Sequence, residues 1–291
     1  MNFWKILVIS SLIGIFSSCE DVIDVNLDQG RSQLVVDAFL TNDSLPQIIQ
    51  LSQSSEFFSN SLPQAVNDAK VKLEAASDGK TYNFIGDDNG NFIYDPALNG
   101  SLDRIGETYL LELQYEGNTY TASSTLRPVP KIDGMSVAFE EEEIGQEEGY
   151  YTQFFARDFP GRKDFYWIRA FRNGEPIDPE NPAELILSED AAFGGEGADG
   201  FPFILPIRAA ITNEDDPFEL GDTSSVELLS MNEDAYLFLQ QVALQADNAG
   251  LFSTPPANVR PNIFDEFGQT QEEVLGVFSI SAISKSSIIA K

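Results

Sequence analysis

Lys70-Val71-Lys72-Leu73-Glu74-Ala75 is the stretch that decides the fold, because its charged and apolar side chains alternate. Successive side chains of a β-strand point to opposite faces, so Val71, Leu73 and Ala75 are predicted to share one buried face. The same period of two recurs in Thr108 to Glu116. Asp78-Gly79, a dipeptide typical of hairpin turns, lies just beyond Ala75. The pattern therefore predicts antiparallel β-structure.

Outward from this stretch, the chain divides into two β-rich segments. Residues 34–126 contain six or seven short strands with turns between them, which favours an immunoglobulin-like antiparallel sandwich. Two prolines stiffen residues 127–133, which we interpret as a linker. Residues 134–291 are predicted to form a second, β-sandwich-like sheet domain that carries one α-helix at about 231–247. The predicted fold class is thus mainly β, with two antiparallel domains.

Two stretches give the detail of the second segment. Phe203 to Ile211 is rich in apolar residues and is predicted to be a strand. Ser230 and Glu233 have the spacing of a capping box, which predicts that the helix begins close to them. Apolar residues follow at helical period, whereas Leu237 and Leu244 project from roughly the other side. The helix is therefore predicted either to be covered on two sides or to offer these two leucines as a small contact patch for a partner.

The first residues of the chain carry a sorting signal. Lys5 precedes an apolar run from Ile6 to Phe16, and two serines separate this run from Cys19. The pattern is typical of a secretory signal peptide over residues 1–18, because the run is too short for a hydrocarbon core that needs about 20 residues. Cys19 is the only cysteine, so we predict that it is lipidated rather than paired in a disulfide. Residues 19–33 are then a lipidated, polar tether.

Composition narrows the possible functions. The 291 residues include 47 acidic and 17 basic side chains, so the formal net charge is -30. This charge repels nucleic acid, and we expect no nucleic-acid partner. Histidine is absent and the single cysteine is assigned to lipid, which excludes a Ser-His-Asp triad, a Cys-His pair and the usual zinc sites. Catalysis would have to rest on carboxylates, a Ser-Lys pair or a metal held by oxygens.

Short motifs follow one another along the chain: Cys19-Glu20-Asp21-Val22-Ile23-Asp24, Leu34 to Leu40, Tyr120-Thr121-Ala122, Asp158-Phe159-Pro160-Gly161, Glu233 with Ala235-Tyr236, Pro255 to Val259, Asn262-Ile263 and Leu275 to Phe278. Their order resembles the Bacteroidota lipoprotein family called domain of unknown function four-two-four-nine. This resemblance implies an outer-membrane lipoprotein, often encoded beside TonB-dependent transporters, with no established catalytic residues. It also implies a surface-export signal, to which Glu20 and Asp21 are loosely similar.

Two further sites are predicted from local composition. The glycine-rich run Gly195 to Gly200 lacks the following helix of a nucleotide-binding motif, so a flexible loop is the better interpretation. Asp43-Ser44-Leu45 resembles the O-glycosylation signal of this bacterial group and makes Ser44 a candidate acceptor. The glycine-rich loop and its neighbours also offer oxygen ligands for a hard cation such as calcium, namely Glu189, Asp190, Glu196 and Asp199.

Three functions remain open at this point. The first is a non-enzymatic accessory protein of a TonB-dependent transporter, held at the extracellular face of the outer membrane by lipid on Cys19. The second is a structural subunit of a complex that assembles outer-membrane proteins or lipoproteins. The third is a calcium-dependent glycan binder or a carboxylate-based hydrolase. The first is our expectation, with no enzymatic activity and no cofactor besides the covalent lipid.

Overall fold

The structure, a computed structural model, describes residues 32–55, 62–177, 181–194, 197–247, 259–265 and 274–291. Residues Ser32–Lys291 form one compact unit. These described residues are mainly β with one long helix, as predicted. The first sheet has ten strands: β1 Leu34–Thr41, β2 Gln47–Gln53, β3 Gln64–Ala65, β4 Lys70–Ala75, β5 Thr81–Gly86, β6 Asn91–Tyr94, β7 Thr108–Tyr115, β8 Asn118–Thr125, β15 Phe264–Asp265 and β16 Val274–Ser281.

This first sheet curls around the largest apolar core. Its strand order is β15-β8-β7-β4-β5-β6-β2-β1-β16, with β3 paired to β2. Val71, Leu73 and Ala75 are all buried, which confirms the face predicted from their alternation. The N–H of Ile280 in β16 donates to Ser124 Oγ in β8 at 3.0 Å, although these strands lie near opposite ends of the order. The sheet therefore bends until its two ends meet.

The pairing of β1 with β16 joins distant parts of the chain. The two strands are parallel over their full length, from Leu34 opposite Val274 to Thr41 opposite Ser281. Gly276 permits the close approach, because its φ is +102° and a Cβ there would lie 1.9 Å from Val36 O. Strand β16 was predicted to belong to the second domain, but it is a strand of the first sheet. Nearly every β16 residue is buried, and a strand covered on both faces has no alternation that would reveal its neighbours.

The second β-region is a hairpin packed on a five-stranded sheet. Its core includes Phe154, Tyr166, Phe203 and Val226, and Thr152 Oγ1 approaches Ser224 Oγ at 3.0 Å across it. The hairpin consists of β9 Ile132–Glu140 and β10 Gly149–Ala156. The sheet has the order β12-β11-β14-β17 with β13 paired to β11: β11 Phe165–Arg172, β12 Glu175–Pro176, β13 Ile186–Glu189, β14 Thr223–Met231 and β17 Ile283–Ile289.

The prediction of a strand at Phe203–Ile211 is wrong. The described chain forms turns there, with Arg208 N–H donating to Ile204 O and Ala210 N–H donating to Pro206 O. Phe203, Ile207 and Ile211 are buried at a spacing of four residues, which is a helical rather than a strand period. Strands β14 and β17 were not predicted, because their several serines weaken the apolar signal of a strand.

The described residues contain three helical segments: α1 Pro96–Asn99, the 3-10 turn Pro182–Glu184 and the longer α2 Glu233–Ala246. The bounds of α2 agree with the helix predicted at about 231–247. Ser230 does not cap it, since Ser230 lies within β14 and its hydroxyl donates to Arg127 O. Asn232 is the N-cap residue instead. In the described part of the chain, no helix has both the length and the apolar character that crossing a bilayer requires.

Helix α2 packs where the two sheets approach each other. Its buried face consists of Ala235, Tyr236 and Leu239. The Tyr236 ring stacks on Phe165 of β11, with centroids 4.8 Å apart, and the same cluster includes Val277 of β16. Burial of this stripe holds the helix in place, since an amphipathic helix gains most of its stability from tertiary packing.

Candidate functional site

A buried carboxylate lies just after the end of β10. Asp158 Oδ1 accepts a 2.5 Å hydrogen bond from the Tyr166 hydroxyl, and Asp158 Oδ2 accepts from Gly200 N–H at 2.9 Å. Burial raises the pKa of the Tyr166 phenol, so the phenol keeps its proton and acts as the donor. One carboxylate therefore joins β11 to the loop that contains Gly200.

Asp164 and Asp190 form a second buried pair beside Asp158. Asp190 Oδ1 accepts from Asp164 N–H at 2.8 Å, and Asp190 N–H donates to Asp164 O at 2.8 Å. Arg162 Nε donates to Asp164 Oδ2 at 2.7 Å. Burial raises the pKa of both carboxyls, because the charged form loses hydration. Asp190 also has a φ of +50°, a backbone conformation that Asp and Asn tolerate better than most residues.

The predicted calcium ligands that the structure describes form hydrogen bonds or ion pairs with other groups of the protein. Asp190 accepts from the backbone as above, and both oxygens of Asp199 accept from Gly161 N–H, at 2.8 and 2.9 Å. Glu189 forms an ion pair with Lys163 at 3.0 Å, and Glu196 lies outside the described residues. Within the described ranges, no group of three or more His, Cys, Asp or Glu side chains is arranged to hold a metal ion. The described carboxylates fasten loops to each other.

These fastened loops expose large apolar side chains. Asp158 N–H donates to Phe201 O at 2.9 Å, and Phe203 N–H donates to Ala156 O at 3.0 Å, so residues 201–204 run antiparallel to the end of β10. This register places Phe155 opposite Ile204, with both side chains on the outer face. Phe155, Phe201, Ile204 and Leu205 have between 38% and 56% of their surface exposed.

Two arginines border the same surface. The Arg208 guanidinium lies over the Phe155 ring, with 5.3 Å from Cζ to the centroid. Arg157 Nη1 donates to Gly200 O at 3.0 Å. Neither arginine forms an ion pair with a carboxylate of the described residues. The aromatic-arginine face is the name we give to this surface, which consists of Phe155, Arg157, Phe201, Ile204, Leu205 and Arg208.

Helix α2 presents a second apolar surface. Leu237 and Leu244 are 42% and 65% exposed, and they lie two helical turns apart on one line of the helix. The stripe of Ala235, Tyr236 and Leu239 is buried on another side. Both leucines are therefore exposed on a side of α2 away from its buried stripe.

The remaining predicted site residues lie elsewhere. Ser44 is exposed in the loop between β1 and β2, and its hydroxyl approaches Asp43 Oδ1 at 3.4 Å. Cys19, Glu20 and Asp21 lie outside the described residues. The aromatic-arginine face was not predicted from the sequence, because the predicted strand began only at Phe203 and Phe201 was not assigned to it. Pro206, within the predicted strand, was the available signal against it.

Comparison with known families identifies the family of this chain. A family profile described as Domain of unknown function (DUF4249) matches residues 20–287. The chain belongs to the DUF4249 family. The match begins directly after Cys19 and includes both sheets and α2 of the DUF4249 chain. Comparison of the DUF4249 chain with curated protein sequences gave no match.

Two solved structures, both of bacterial adhesins, show a distant likeness to the DUF4249 chain. One is a Ca2+-stabilized adhesin that helps an Antarctic bacterium reach out and bind ice, with 14% identity, a TM-score of 0.18, and coverage of 71% of this chain and 46% of that one. The other is a 1.5-MDa bacterial ice-binding adhesin, with 11% identity, a TM-score of 0.18, and coverage of 91% and 66%. The DUF4249 chain thus spans about half the length of the first adhesin structure. At these TM-scores neither adhesin defines its fold.

Proposed function

We propose that this DUF4249 protein is a non-enzymatic accessory protein of a TonB-dependent transporter, anchored by lipid on Cys19 at the extracellular face of the outer membrane. The observation that carries the proposal is the outward line of Leu237 and Leu244 on a helix whose other side is firmly packed. Apolar side chains held on a rigid helix are suited to contact with another protein.

The carboxylates support a binding role rather than catalysis. Paired carboxylates act as acid and base only when substrate can reach them. Asp158, Asp164 and Asp190 are buried, and each accepts at least one hydrogen bond from within the protein. The absence of histidine from the sequence removes the commonest alternative proton carrier.

Export, acylation, glycosylation and the character of the two β-regions are also part of what we propose. The sequence of residues 1–21 supports export, acylation of Cys19 and display at the surface through Glu20 and Asp21. Ser44 is suited to glycosylation because it is exposed in a loop. The immunoglobulin-like character of residues 34–126 and the sandwich-like character of residues 134–291 belong to the same proposal.

Purification from the native membrane tests this function. The wild-type chain, the double variant Leu237→Ser with Leu244→Ser, and the control Leu98→Ser are each purified from detergent-solubilised outer membranes. Leu98 is 82% exposed and lies in α1 rather than α2, so its variant controls for loss of any apolar surface. We expect a TonB-dependent barrel with the wild type and the control, and its loss with the double variant.

Two results would contradict the proposal. Recovery of the wild-type chain without any outer-membrane barrel would remove the transporter as the partner. A general loss of surface lipoproteins after depletion of the protein, in place of a defect in one nutrient, would assign it to an assembly complex.

A further inference from the structure

We propose that the outer edge of strand β17, Ile283–Ile289, pairs with the same edge of a second copy of this chain. The two strands run antiparallel about a twofold axis at Ser287, so that the five-stranded sheets of the two copies become continuous. Each copy contributes the same residues, as a closed twofold interface requires. The pairing uses neither Cys19 nor α2, so it does not depend on the proposed transporter function.

The direction of the backbone groups in β17 follows from its pairing with β14. Ser230 N–H donates to Ala282 O at 3.0 Å and Ala290 N–H donates to Asp222 O at 2.9 Å, just before and just after β17. The register between these two contacts is regular, so the even-numbered residues of β17 face β14. In an antiparallel pair, alternate residues direct their N–H and C=O groups to opposite sides. The residues of β17 that direct these groups away from β14 are Ile283, Lys285, Ser287 and Ile289.

This outer edge has no strand beside it in the described part of the chain. There, β17 pairs with β14 and with no other strand. Ile283 N–H donates to the side-chain Oδ1 of Asn42 at 3.0 Å, which closes the first position of the edge. The free row therefore consists of Lys285, Ser287 and Ile289, and Ser287 and Ile289 are exposed. Outward N–H and C=O groups at every second residue are complementary to an extended strand.

Strand β17 lacks the features that usually keep an edge from pairing. Those features are short length, proline, bulges and charges directed at the edge. Strand β17 has seven residues, no proline and a regular register. The ammonium of Lys285 contacts Asp43 at 2.5 Å and Glu227 at 2.9 Å. Because Glu227 lies directly opposite Lys285 on β14, this ammonium leans away from the free edge.

Other sheet ends do have such protection. Strands β12 and β15 are two residues long, and β12 contains Pro176. The outer edge of β16 is covered by a side-chain amide, since Phe278 N–H donates to Asn262 Oδ1 and Asn262 Nδ2 donates to Phe278 O, both at 2.8 Å. Strand β9 has an irregular register and leads into the acidic run 140–143. The contrast favours β17 as the edge that accepts a strand.

The charge and the sequence of the edge favour a second copy as the occupant. Residues 279–291 contain two lysines and no acidic residue, although the chain has 47 acidic residues. Two copies that meet along β17 therefore bring no carboxylate of one strand against the other. The twofold axis places Ser287 opposite Ser287 of the other copy, and Lys285 opposite Ile289 of the other copy. Each directly opposed pair can exchange two hydrogen bonds, and the lysine stem can lie along the isoleucine.

Analytical ultracentrifugation tests the association. The probe is the predicted mature chain, residues 19–291, with Cys19→Ser, which leaves no cysteine. We expect a monomer–dimer equilibrium with a dissociation constant of about 10–100 µM, since a short edge pairing buries little surface. Ser287→Glu should raise this constant at least about tenfold, because two carboxylates then face each other at the axis. Added salt should tighten the wild-type dimer, because it screens the repulsion between two chains of charge -30.

Disulfide formation tests the register of the pairing. Ser287→Cys gives each copy of the cysteine-free probe one thiol, and Cα atoms of such opposed residues lie about 5.5 Å apart, which a disulfide can span. Ser123→Cys is the control, because Ser123 is exposed on β8 of the first sheet. We expect Ser287→Cys to form a covalent dimer at least about tenfold faster than the control. A mixture of Lys285→Cys and Ile289→Cys should crosslink faster than either variant by itself.

A matched charge control and three results decide the proposal. Ser123→Glu adds the same charge away from β17 and should leave the dissociation constant unchanged, while equal urea-unfolding midpoints would show that the variants fold. A wild-type probe that stays monomeric overturns the proposal, as does a dimer that Ser287→Glu does not weaken. Crosslinking of Ser287→Cys no faster than that of Ser123→Cys also overturns it. The transporter function is tested at Leu237 and Leu244, so either proposal can fail without the other.

Discussion

The hydroxyl of Tyr166 donates a 2.5 Å hydrogen bond to Asp158 Oδ1, and both residues are buried. The other oxygen of this carboxylate holds Gly200 N–H, one residue before Phe201. A strand of the core thus positions the loop that carries the aromatic-arginine face. Measurements of stability can test these two hydrogen bonds and the buried carboxylates near them.

Loss of the Tyr166 hydroxyl should destabilise the fold. Tyr166→Phe removes one donor from a buried carboxylate, and an unsatisfied buried group of this kind costs about 1–3 kcal/mol. Tyr236→Phe is the matched control, because Tyr236 is a buried tyrosine whose hydroxyl has no hydrogen bond to the described residues. Urea unfolding measures both. An effect of Tyr166→Phe no larger than that of the control would show that the Asp158 link does not stabilise the loop.

Asp190 should make stability depend on pH. Burial raises its folded-state pKa above the usual 3.8, so the folded protein binds this proton more tightly than the unfolded chain. The stabilisation is complete below the unfolded-state pKa and is lost as pH rises through the raised pKa. Asp190→Asn keeps an acceptor for Asp164 N–H without the charge, so it should be the more stable protein at pH 7 and lose this advantage on acidification.

Asp190→Ala is the companion variant for this test. It removes the acceptor of the buried Asp164 N–H, and we expect a loss of about 1–3 kcal/mol at any pH. Urea unfolding between pH 4 and 7, analysed for the wild type and both variants, separates charge from hydrogen bonding. A wild type that gains stability relative to Asp190→Asn with rising pH would contradict the assignment.

Asp222 should make stability depend on pH in the opposite direction to Asp190. Its hydrogen bond from Asn173 Nδ2, at 2.8 Å, lowers the pKa of the carboxyl. The stabilisation is present above the unfolded-state pKa and is lost as pH falls through the lowered value. Asp222→Asn should therefore destabilise the protein at pH 7 and lose this effect in strong acid. A destabilisation that persists unchanged below both pKa values would show that charge is not its cause.

Gly276→Ala should disrupt the pairing of β1 with β16. A Cβ at this position would lie 1.9 Å from Val36 O, and the φ of +102° is unfavourable for alanine. We expect a loss of at least about 3 kcal/mol, or failure to fold. Gly134→Ala is the control, because nothing lies within 4 Å of its Cβ position. It should change stability by less than about 0.5 kcal/mol, and equal effects of the two substitutions would refute the parallel pairing.

Removal of Cys19 should release the protein from the membrane. Cys19→Ala abolishes the predicted acylation site, and multiple acyl chains are what makes such an anchor durable. Fractionation of cells should move the protein into the soluble fraction. Full retention of Cys19→Ala in the outer membrane would mean that another element holds the chain there.

Local patterns predicted elements of the fold but not their neighbours. The alternation around Val71 and Leu73 gave the correct buried face, and the helical period gave α2 within about two residues of each end. The place of β16 could not be predicted, because it depends on a pairing between residues about 240 positions apart. Phe203 to Ile211 was assigned as a strand because its apolar content outweighed its one proline, Pro206, although burial of every fourth residue shows a helical turn period.

The candidate site was harder to predict than the fold, because it is formed by residues that are far apart in the sequence. Leu237 and Leu244 were found from periodicity within one helix, and the structure leaves both exposed. The aromatic-arginine face combines β10 with a segment about 50 residues later, and only the register of Asp158 with Phe201 brings Phe155 opposite Ile204. The acidic residues near Glu189 were predicted as oxygen ligands of a cation, but composition could not show that backbone N–H groups donate to Asp190 and Asp199.

The central claim is that α2 contacts a transporter barrel, and crosslinking in living cells tests it most directly. A photoreactive residue is placed at position 244 in α2 and, in a separate strain, at position 98 in α1 as the control. We predict a crosslink from position 244 to a TonB-dependent barrel and none from position 98. A crosslink pattern that is the same at both positions, or that lacks a barrel at position 244, would contradict the account.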